Sequence, residues 1–183
     1  MVNDFRFPSA LPIITRMSRL LFSLLVFVGL TAATTAERLV EVPDLAAFRK
    51  LAPQTAPLRV LNVWATWCVP CVEEMPDLQR VDDSFASKDV EFVGISLDDA
   101  LPGDRAKHKK KVLSFLDGRK IKFRNVYYTG KLNRLQDDLR FEGEIPVTFI
   151  FDRQGKELWR HQGKIDRQEM VRVIRNLRTK GKG

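Results

Sequence analysis

The two cysteines of the chain, Cys68 and Cys71, lie three residues apart and directly follow a short apolar segment. That segment, Val60–Trp64, has the composition of a buried strand, and the apolar residues after Cys71 have helical spacing. On the first turn of a helix, two side chains at this spacing share a face and can close a disulfide ring. The fold must therefore place a thiol pair at the junction between a strand and a helix.

The start of a helix makes the two sulfur atoms chemically different. Unpaired N–H groups and the helix dipole favour the thiolate form at Cys68, while Cys71, one turn inside, is more shielded and less acidic. Such a pair can exchange disulfides, because one sulfur attacks a partner's disulfide and the other releases the product. Half a zinc site and two inert core thiols are the alternatives, but zinc needs two further ligands, and His108 and His161 lack ligand spacing.

Length and composition fit a single globular domain. The 183 residues are 44% hydrophobic and 30% charged, which excludes a disordered chain, a collagen-like repeat and a polytopic membrane protein. The net charge of +8 is compatible with an acidic partner. The basic cluster Lys107–Lys111 lacks the interleaved aromatic residues or the module of a nucleic-acid site. We therefore expect a solvated helix face there and no nucleic-acid partner, with an acidic partner or a membrane surface as the alternative.

The first 36 residues have the pattern of an export signal. Two arginines lie just before the apolar stretch Leu20–Leu30, and small residues follow it as far as Ala36. The stretch is shorter than the ~20 residues of a membrane-spanning helix. We expect residues 1–36 to be a signal peptide, with an uncleaved N-terminal anchor as the alternative, and residues 37–183 to be the exported domain. Because Met17 opens the pattern, translation could also start there.

The exported part of the sequence predicts alternating strands and helices, and so an α/β fold with a central mixed sheet flanked by helices. The adjacent acids Glu73 and Glu74 point in different directions on a helix, and we expect both to be solvated first-turn acids. Helices are expected at Asp44–Leu51, at Asp104–Asp117 with Gly118 as the terminating residue, around Leu132–Leu139 and after Asp166; strands are expected at Val60–Trp64, Val90–Leu97 and Ile121–Tyr128, and as a hairpin of Val147–Phe151 and Lys156–His161.

The stretch from Val60 to Cys71, VLNVWATWCVPC, followed by Glu74-Met75-Pro76, resembles the thioredoxin superfamily. Ile145-Pro146 before a strand, and the hairpin that turns at Gly155, extend the likeness towards the C-terminus. The sequence is most similar to the exported thiol–disulfide oxidoreductases of the TlpA/ResA type. This resemblance implies a thioredoxin-like domain over residues 37–183.

The resemblance also implies a role for each of five residues. Cys68 would be the nucleophile and Cys71 the resolving thiol. Pro146 would be a cis proline packed against the disulfide, the backbone of Ile145 would pair with a bound substrate strand, and Trp67 would form a contact surface beside the sulfur atoms. An ordinary trans proline and simple packing of the tryptophan are the alternatives. No metal ligand and no cofactor are expected.

Two positions depart from the patterns of relatives. Asn62 stands where thioredoxin itself usually has a buried Asp that accepts the proton of the resolving cysteine, so it is either part of a proton path or a hydrogen-bonded core amide. Between the cysteines, Val69-Pro70 offers no side-chain donor to stabilise a thiolate, whereas strongly oxidising relatives have a His there. Less stabilisation of the reduced form predicts a reductase rather than an oxidant.

The resemblance finally implies a cellular setting. It suggests a periplasmic protein that acts on disulfide-containing exported proteins, as in cytochrome c biogenesis or the assembly of copper sites. A membrane electron donor is implied because a reductase in an oxidising compartment must be recharged. A disulfide oxidase or isomerase on the same fold is one alternative, and a non-enzymatic Cu(I)-binding module is another.

Overall fold

The computed structural model describes residues 39–180, which form one six-stranded sheet flanked by helices. A short 3-10 turn, Asp98–Ala100, follows the third strand. The elements in chain order are β1 (Leu39–Val42), α1 (Leu45–Leu51), β2 (Leu58–Trp64), α2 (Val69–Asp82), β3 (Val90–Ser96), α3 (Arg105–Gly118), β4 (Arg124–Tyr128), α4 (Leu132–Leu139), β5 (Val147–Asp152), β6 (Glu157–Gln162) and α5 (Arg167–Lys180).

The sheet has the strand order β1-β4-β3-β2-β5-β6 and is mixed. The first four strands in this order run parallel to one another, whereas β5 is antiparallel to both β2 and β6. Every residue of β2 is buried, as expected for a central strand covered on both faces. The predicted α/β class with a central mixed sheet is confirmed. Because β2 is an interior strand, its carboxyl end lies between neighbouring strands rather than at the side of the sheet.

Helix-capping aspartates explain why the helix starts could be predicted from the sequence. Asp44 accepts a hydrogen bond from the N–H of Ala47 at 2.7 Å and so caps α1. Asp104 caps α3 in the same way. Asp166 accepts from the N–H of Glu169 at 2.8 Å at the start of α5. These bonds satisfy N–H groups that have no partner inside the helix.

Two predicted boundaries were wrong, and one strand was missed. Gly118 lies inside α3, and the left-handed residue after this helix is Lys120, with φ 56°. The strand predicted from Ile121 begins only at Arg124, because the side-chain oxygen of Gln79 accepts the N–H groups of two preceding residues, which therefore do not join the ladder. The short edge strand β1, which pairs with β4, was not predicted.

The predicted signal peptide, residues 1–36, lies outside the described residues, so the boundary at residue 37 stays a prediction. Within residues 39–180, no helix is both long enough and apolar enough to cross a bilayer.

Candidate active site

The two cysteines form a disulfide where β2 ends and α2 begins. Their sulfur atoms are 2.01 Å apart and their Cα atoms 5.2 Å apart. Cys68 is the N-cap residue of α2, and its Sγ accepts a hydrogen bond from the N–H of Cys71 at 3.3 Å. The structure therefore confirms the predicted strand–helix junction and places the Cys68 sulfur against the donors that begin the helix.

The two sulfur-bearing residues differ in their access to solvent. Cys68 is 7% exposed, whereas Cys71 is completely buried. The residues beside Cys68 are open, since 41% of Trp67 and 65% of Val69 is exposed. A second molecule can thus approach Cys68 from this side, whereas Cys71 presents no surface to solvent.

A shallow groove of about 690 Å³ runs past the disulfide. The peptide bond between Ile145 and Pro146 is cis, and the carbonyl oxygen of Ile145 lies 3.5 Å from Sγ of Cys68. In the disulfide that sulfur has no hydrogen, so this is a packing contact. The groove brings together four predicted site residues, Trp67, Cys68, Ile145 and Pro146, with Cys71 beneath them. Their roles stay predictions, but the cis geometry is the one the resemblance implied.

The segment that carries the cis proline is held by the end of β6. The carbonyl oxygen of Pro146 accepts from the N–H of Gly163 at 2.8 Å and from Nε2 of Gln162 at 3.2 Å. The same Gln162 amide also donates to the carbonyl oxygen of Glu144 at 2.8 Å. These bonds hold the main chain of Ile145 beside the sulfur.

A cluster of buried polar side chains lies in the core and involves β2, α2 and β5. Asn62, Glu74 and Thr148 are at most 1% exposed. Nδ2 of Asn62 donates to Oε1 of Glu74 at 2.9 Å and to Oγ1 of Thr148 at 3.0 Å. The N–H of Ile165 donates to the other carboxyl oxygen of Glu74 at 3.0 Å. Asn62 is thus a hydrogen-bonded core amide, although its own Oδ1 has no partner among the described residues.

The prediction that both glutamates are solvated was wrong for Glu74. Glu73 is exposed and forms an ion pair with Lys164 at 2.8 Å, but Glu74 points into the core. Burial raises the pKa of Glu74 to about 7, although the N–H of Ile165, the Asn62 amide and Lys164 all favour the ionised form. Near neutral pH this carboxyl can therefore exist with or without its proton.

Glu74 follows Cys71 by three residues, so both side chains lie on the same face of α2. The helical spacing of Cys71, Leu78 and Glu74 could have revealed this position, because Glu74 falls within the apolar stripe. Near neutral pH the Glu74 carboxyl can take up or release a proton, one helical turn along α2 from the buried Cys71.

A thioredoxin-like sheet, a Cys-X-X-Cys disulfide at the start of a helix and a cis proline beside it define a class, the thioredoxin-like thiol–disulfide proteins. The model of the Redoxin family matches residues 54–177. The chain belongs to the Redoxin family, and the predicted TlpA/ResA-like relationship is confirmed by its relatives and structural neighbours.

Curated relatives of known name match the greater part of the chain. The thioredoxin-like protein YneN of Bacillus subtilis is 29% identical over 115 residues, which are 63% of this chain and 62% of YneN. The thiol-disulfide oxidoreductase ResA of Bacillus thuringiensis subsp. konkukian is 25% identical over 119 residues, 64% of this chain and 61% of ResA. This chain thus spans somewhat less than two thirds of the length of each of these relatives.

Solved structures share the fold. StoA from Bacillus subtilis superposes with a TM-score of 0.54 at 22% identity, covering 66% of this chain and 84% of StoA. A DsbF homologue from Corynebacterium diphtheriae has a TM-score of 0.57 at 25% identity, covering 69% of this chain and 75% of the homologue. The thioredoxin-like fold predicted from the sequence is confirmed by these neighbours.

Proposed function

We propose that this protein is a thiol–disulfide oxidoreductase that reduces disulfides of exported proteins through a mixed-disulfide intermediate. The observation that carries this proposal is the unequal access of the two sulfur atoms, one at an open groove and the other sealed in the core. The name of the ResA relatives, thiol-disulfide oxidoreductase, supports the same chemistry.

The first step uses Cys68. In the reduced protein its thiolate attacks one sulfur of a substrate disulfide, the substrate S–S bond breaks, and the departing sulfur takes a proton from water. The N–H of Cys71 and the helix dipole stabilise negative charge at this sulfur. The exposed position of the neighbouring Trp67 leaves room for a polypeptide at the groove.

The second step uses Cys71. Its thiol loses a proton and attacks the sulfur of Cys68, the mixed disulfide breaks, and the substrate sulfur leaves as a thiolate that takes a proton from water. Two electrons have then moved from the cysteine pair to the substrate. The carboxylate of Glu74, one helical turn after Cys71, is placed to take this proton, and its pKa of about 7 matches that task at neutral pH.

The groove accounts for substrate binding. The main chain of Ile145 lies beside the Cys68 sulfur, where it would pair with an extended segment of the substrate. Trp67 would cover that segment with its exposed ring. A groove this open suits a polypeptide better than a small molecule, which usually binds in a deeper cavity.

The direction of electron flow and the cellular setting belong to the same proposal. Val69-Pro70 provides no side-chain donor for a thiolate, which favours a reducing couple. The export pattern of residues 1–36 supports a periplasmic location. There the protein would act on cysteine pairs of apocytochrome c or copper-site proteins and receive electrons from a membrane donor.

The test measures the reduction potential of the purified protein in thiol–disulfide buffers, together with its reduction of insulin disulfides. We expect a potential well below the ~ −120 mV of strong oxidants and insulin reduction that is lost in Cys68→Ser. A potential near that of the strong oxidants would indicate an oxidase. Absence of cysteine-dependent exchange, with copper retained through desalting, would indicate the Cu(I)-binding module.

A further inference from the structure

We propose that Asp98 is a positioning residue of the disulfide site, which holds Thr66 and thereby fixes the adjacent Trp67 at the groove. This inference rests on the proposed oxidoreductase function. Asp98 begins the 3-10 turn just after β3, the strand that pairs with β2, and it is 2% exposed.

The carboxylate of Asp98 is surrounded by hydrogen-bond donors. The N–H of Thr66 lies 3.1 Å from its Oδ2, the hydroxyl of Thr66 donates to its Oδ1, and the hydroxyl of Ser96 donates at 2.8 Å. All three donors are neutral groups. Hydrogen bonds to an ionised acceptor are roughly twice as strong as those between neutral groups, so the contacts to Thr66 form a firm attachment.

The hydrogen bonds to Asp98 hold Thr66, which lies in the segment that joins β2 to α2. At the start of this segment, the N–H of Leu97 donates to the carbonyl oxygen of Trp64 at 2.8 Å. At its end, the N–H of Cys68 donates to the carbonyl oxygen of Ala65 at 3.2 Å. Between these two bonds the main-chain N–H of Thr66 is satisfied by Asp98, which thus continues the connection to β3 beyond the last strand pair.

Trp67 is the residue that this arrangement presents to the groove. It follows Thr66 directly, 41% of it is exposed, and it lines the groove beside Cys68. The sulfur of Cys68 is held separately, because it accepts a hydrogen bond from the N–H of Cys71 in the first turn of α2. Loosening Thr66 should therefore affect the tryptophan surface more than the sulfur.

The neighbouring residue Asp99 has different partners. It forms an ion pair with Arg105 at 2.8 Å and accepts a hydrogen bond from the hydroxyl of Tyr127 at 3.4 Å. Asp98 is thus the member of the pair that contacts the segment before the cysteines.

The test compares two substrates of the reduced protein: insulin, whose disulfides sit in a polypeptide, and the small disulfide DTNB. The variant Thr66→Val removes the hydroxyl donor and keeps the size of the side chain. We expect its rate constant for insulin to fall about tenfold while its rate constant for DTNB stays within about twofold, because a small disulfide needs the sulfur but not the tryptophan surface. Asp98→Asn should show the same pattern, and Thr66→Ser should restore the insulin rate.

Ser96→Ala is the matched control, since it removes one hydrogen bond to the carboxylate of Asp98 and one from its main-chain N–H but leaves both donors of Thr66 in place. Its ratio of insulin to DTNB rates should equal that of the wild type. Equal losses on both substrates in Thr66→Val, or no loss on either, would overturn the positioning role. A wild-type protein that reduces neither disulfide would instead refute the oxidoreductase function itself, and that result is visible without any variant.

Discussion

The groove side and the buried side of the disulfide are built from different contacts. On the groove side Cys68 meets a carbonyl oxygen of the cis-proline segment and an exposed tryptophan. The buried side holds Cys71 and, in the core, a hydrogen-bonded cluster of Asn62, Glu74 and Thr148. In the proposed mechanism these two sides have different roles, with substrate contact on the groove side and proton transfer on the buried side. Changes on each side should therefore affect different steps.

The largest expected effect separates the two cysteines. Cys68→Ser should abolish disulfide reduction and form no adducts, because the attacking sulfur is gone. Cys71→Ser should also stop turnover, yet it should accumulate mixed disulfides through Cys68, since nothing resolves them. Non-reducing gels and mass spectrometry of proteins bound to each variant in cells provide the measurement. Adducts on Cys68→Ser alone would reverse the assigned roles.

Glu74→Gln tests proton transfer on the buried side of the disulfide. Loss of a general base for the Cys71 proton should slow turnover at neutral pH about 100-fold, with the mixed disulfide accumulating. The difference in turnover rate between Glu74→Gln and the wild type should become smaller above about pH 8.5, where an ordinary thiol ionises without a base. Stopped-flow reduction of insulin as a function of pH is the measurement.

Glu73→Gln is the matched control for that experiment, because it neutralises the adjacent but exposed carboxylate. It should keep its rate within about twofold of the wild type, as expected for a surface ion pair that contributes little. Identical pH profiles for the two glutamine variants would contradict a proton role for Glu74.

The raised pKa of Glu74 also predicts how stability depends on pH. The pKa in the folded protein, about 7, exceeds the usual value of 4.5, so the folded protein binds this proton more tightly than the unfolded chain. The resulting stabilisation is complete below about pH 4.5 and is lost as pH rises through about 7. Between about pH 5 and pH 8, the unfolding free energy of the wild type should therefore fall by about 2–3 kcal/mol relative to that of Glu74→Gln. Urea titrations of the oxidised proteins measure it, and a constant difference would refute burial of the charge.

The smallest effect is expected for Trp67→Ala, which tests whether the groove side contributes to substrate contact. It should reduce the rate constant for insulin about tenfold, equivalent to about 1.4 kcal/mol, while leaving the DTNB rate and the pH dependence of stability unchanged. Parallel assays on the two disulfides supply the comparison. A variant with altered pH-dependent stability would show that the two sides are not independent.

Local signals explain what could be predicted from the sequence. The apolar run of β2, the capping aspartates Asp44 and Asp166 and the cysteine spacing act within a few residues, and all were interpreted correctly. Glu74 was misassigned although it lies on the apolar stripe of α2, because a glutamate there gives no local sign of its donor, the N–H of Ile165, which is 91 residues away. The hydrogen bonds between Thr66 and Asp98 join residues 32 apart that follow the ends of neighbouring strands, and no local pattern indicates them.

The acidity of Cys68 and the enclosure of Cys71 are both tested by alkylation of the reduced, folded protein with iodoacetamide across a pH series, with each cysteine followed by peptide mass spectrometry. We predict that Cys68 reacts alone and that its rate reaches half of its maximum well below the ~8.5 of a free cysteine. Cys71 should stay unmodified because the core encloses it. Reaction of Cys68 with the pH dependence of a free thiol would show that the helix start does not stabilise its thiolate, and equal modification of both cysteines would show that Cys71 is not enclosed.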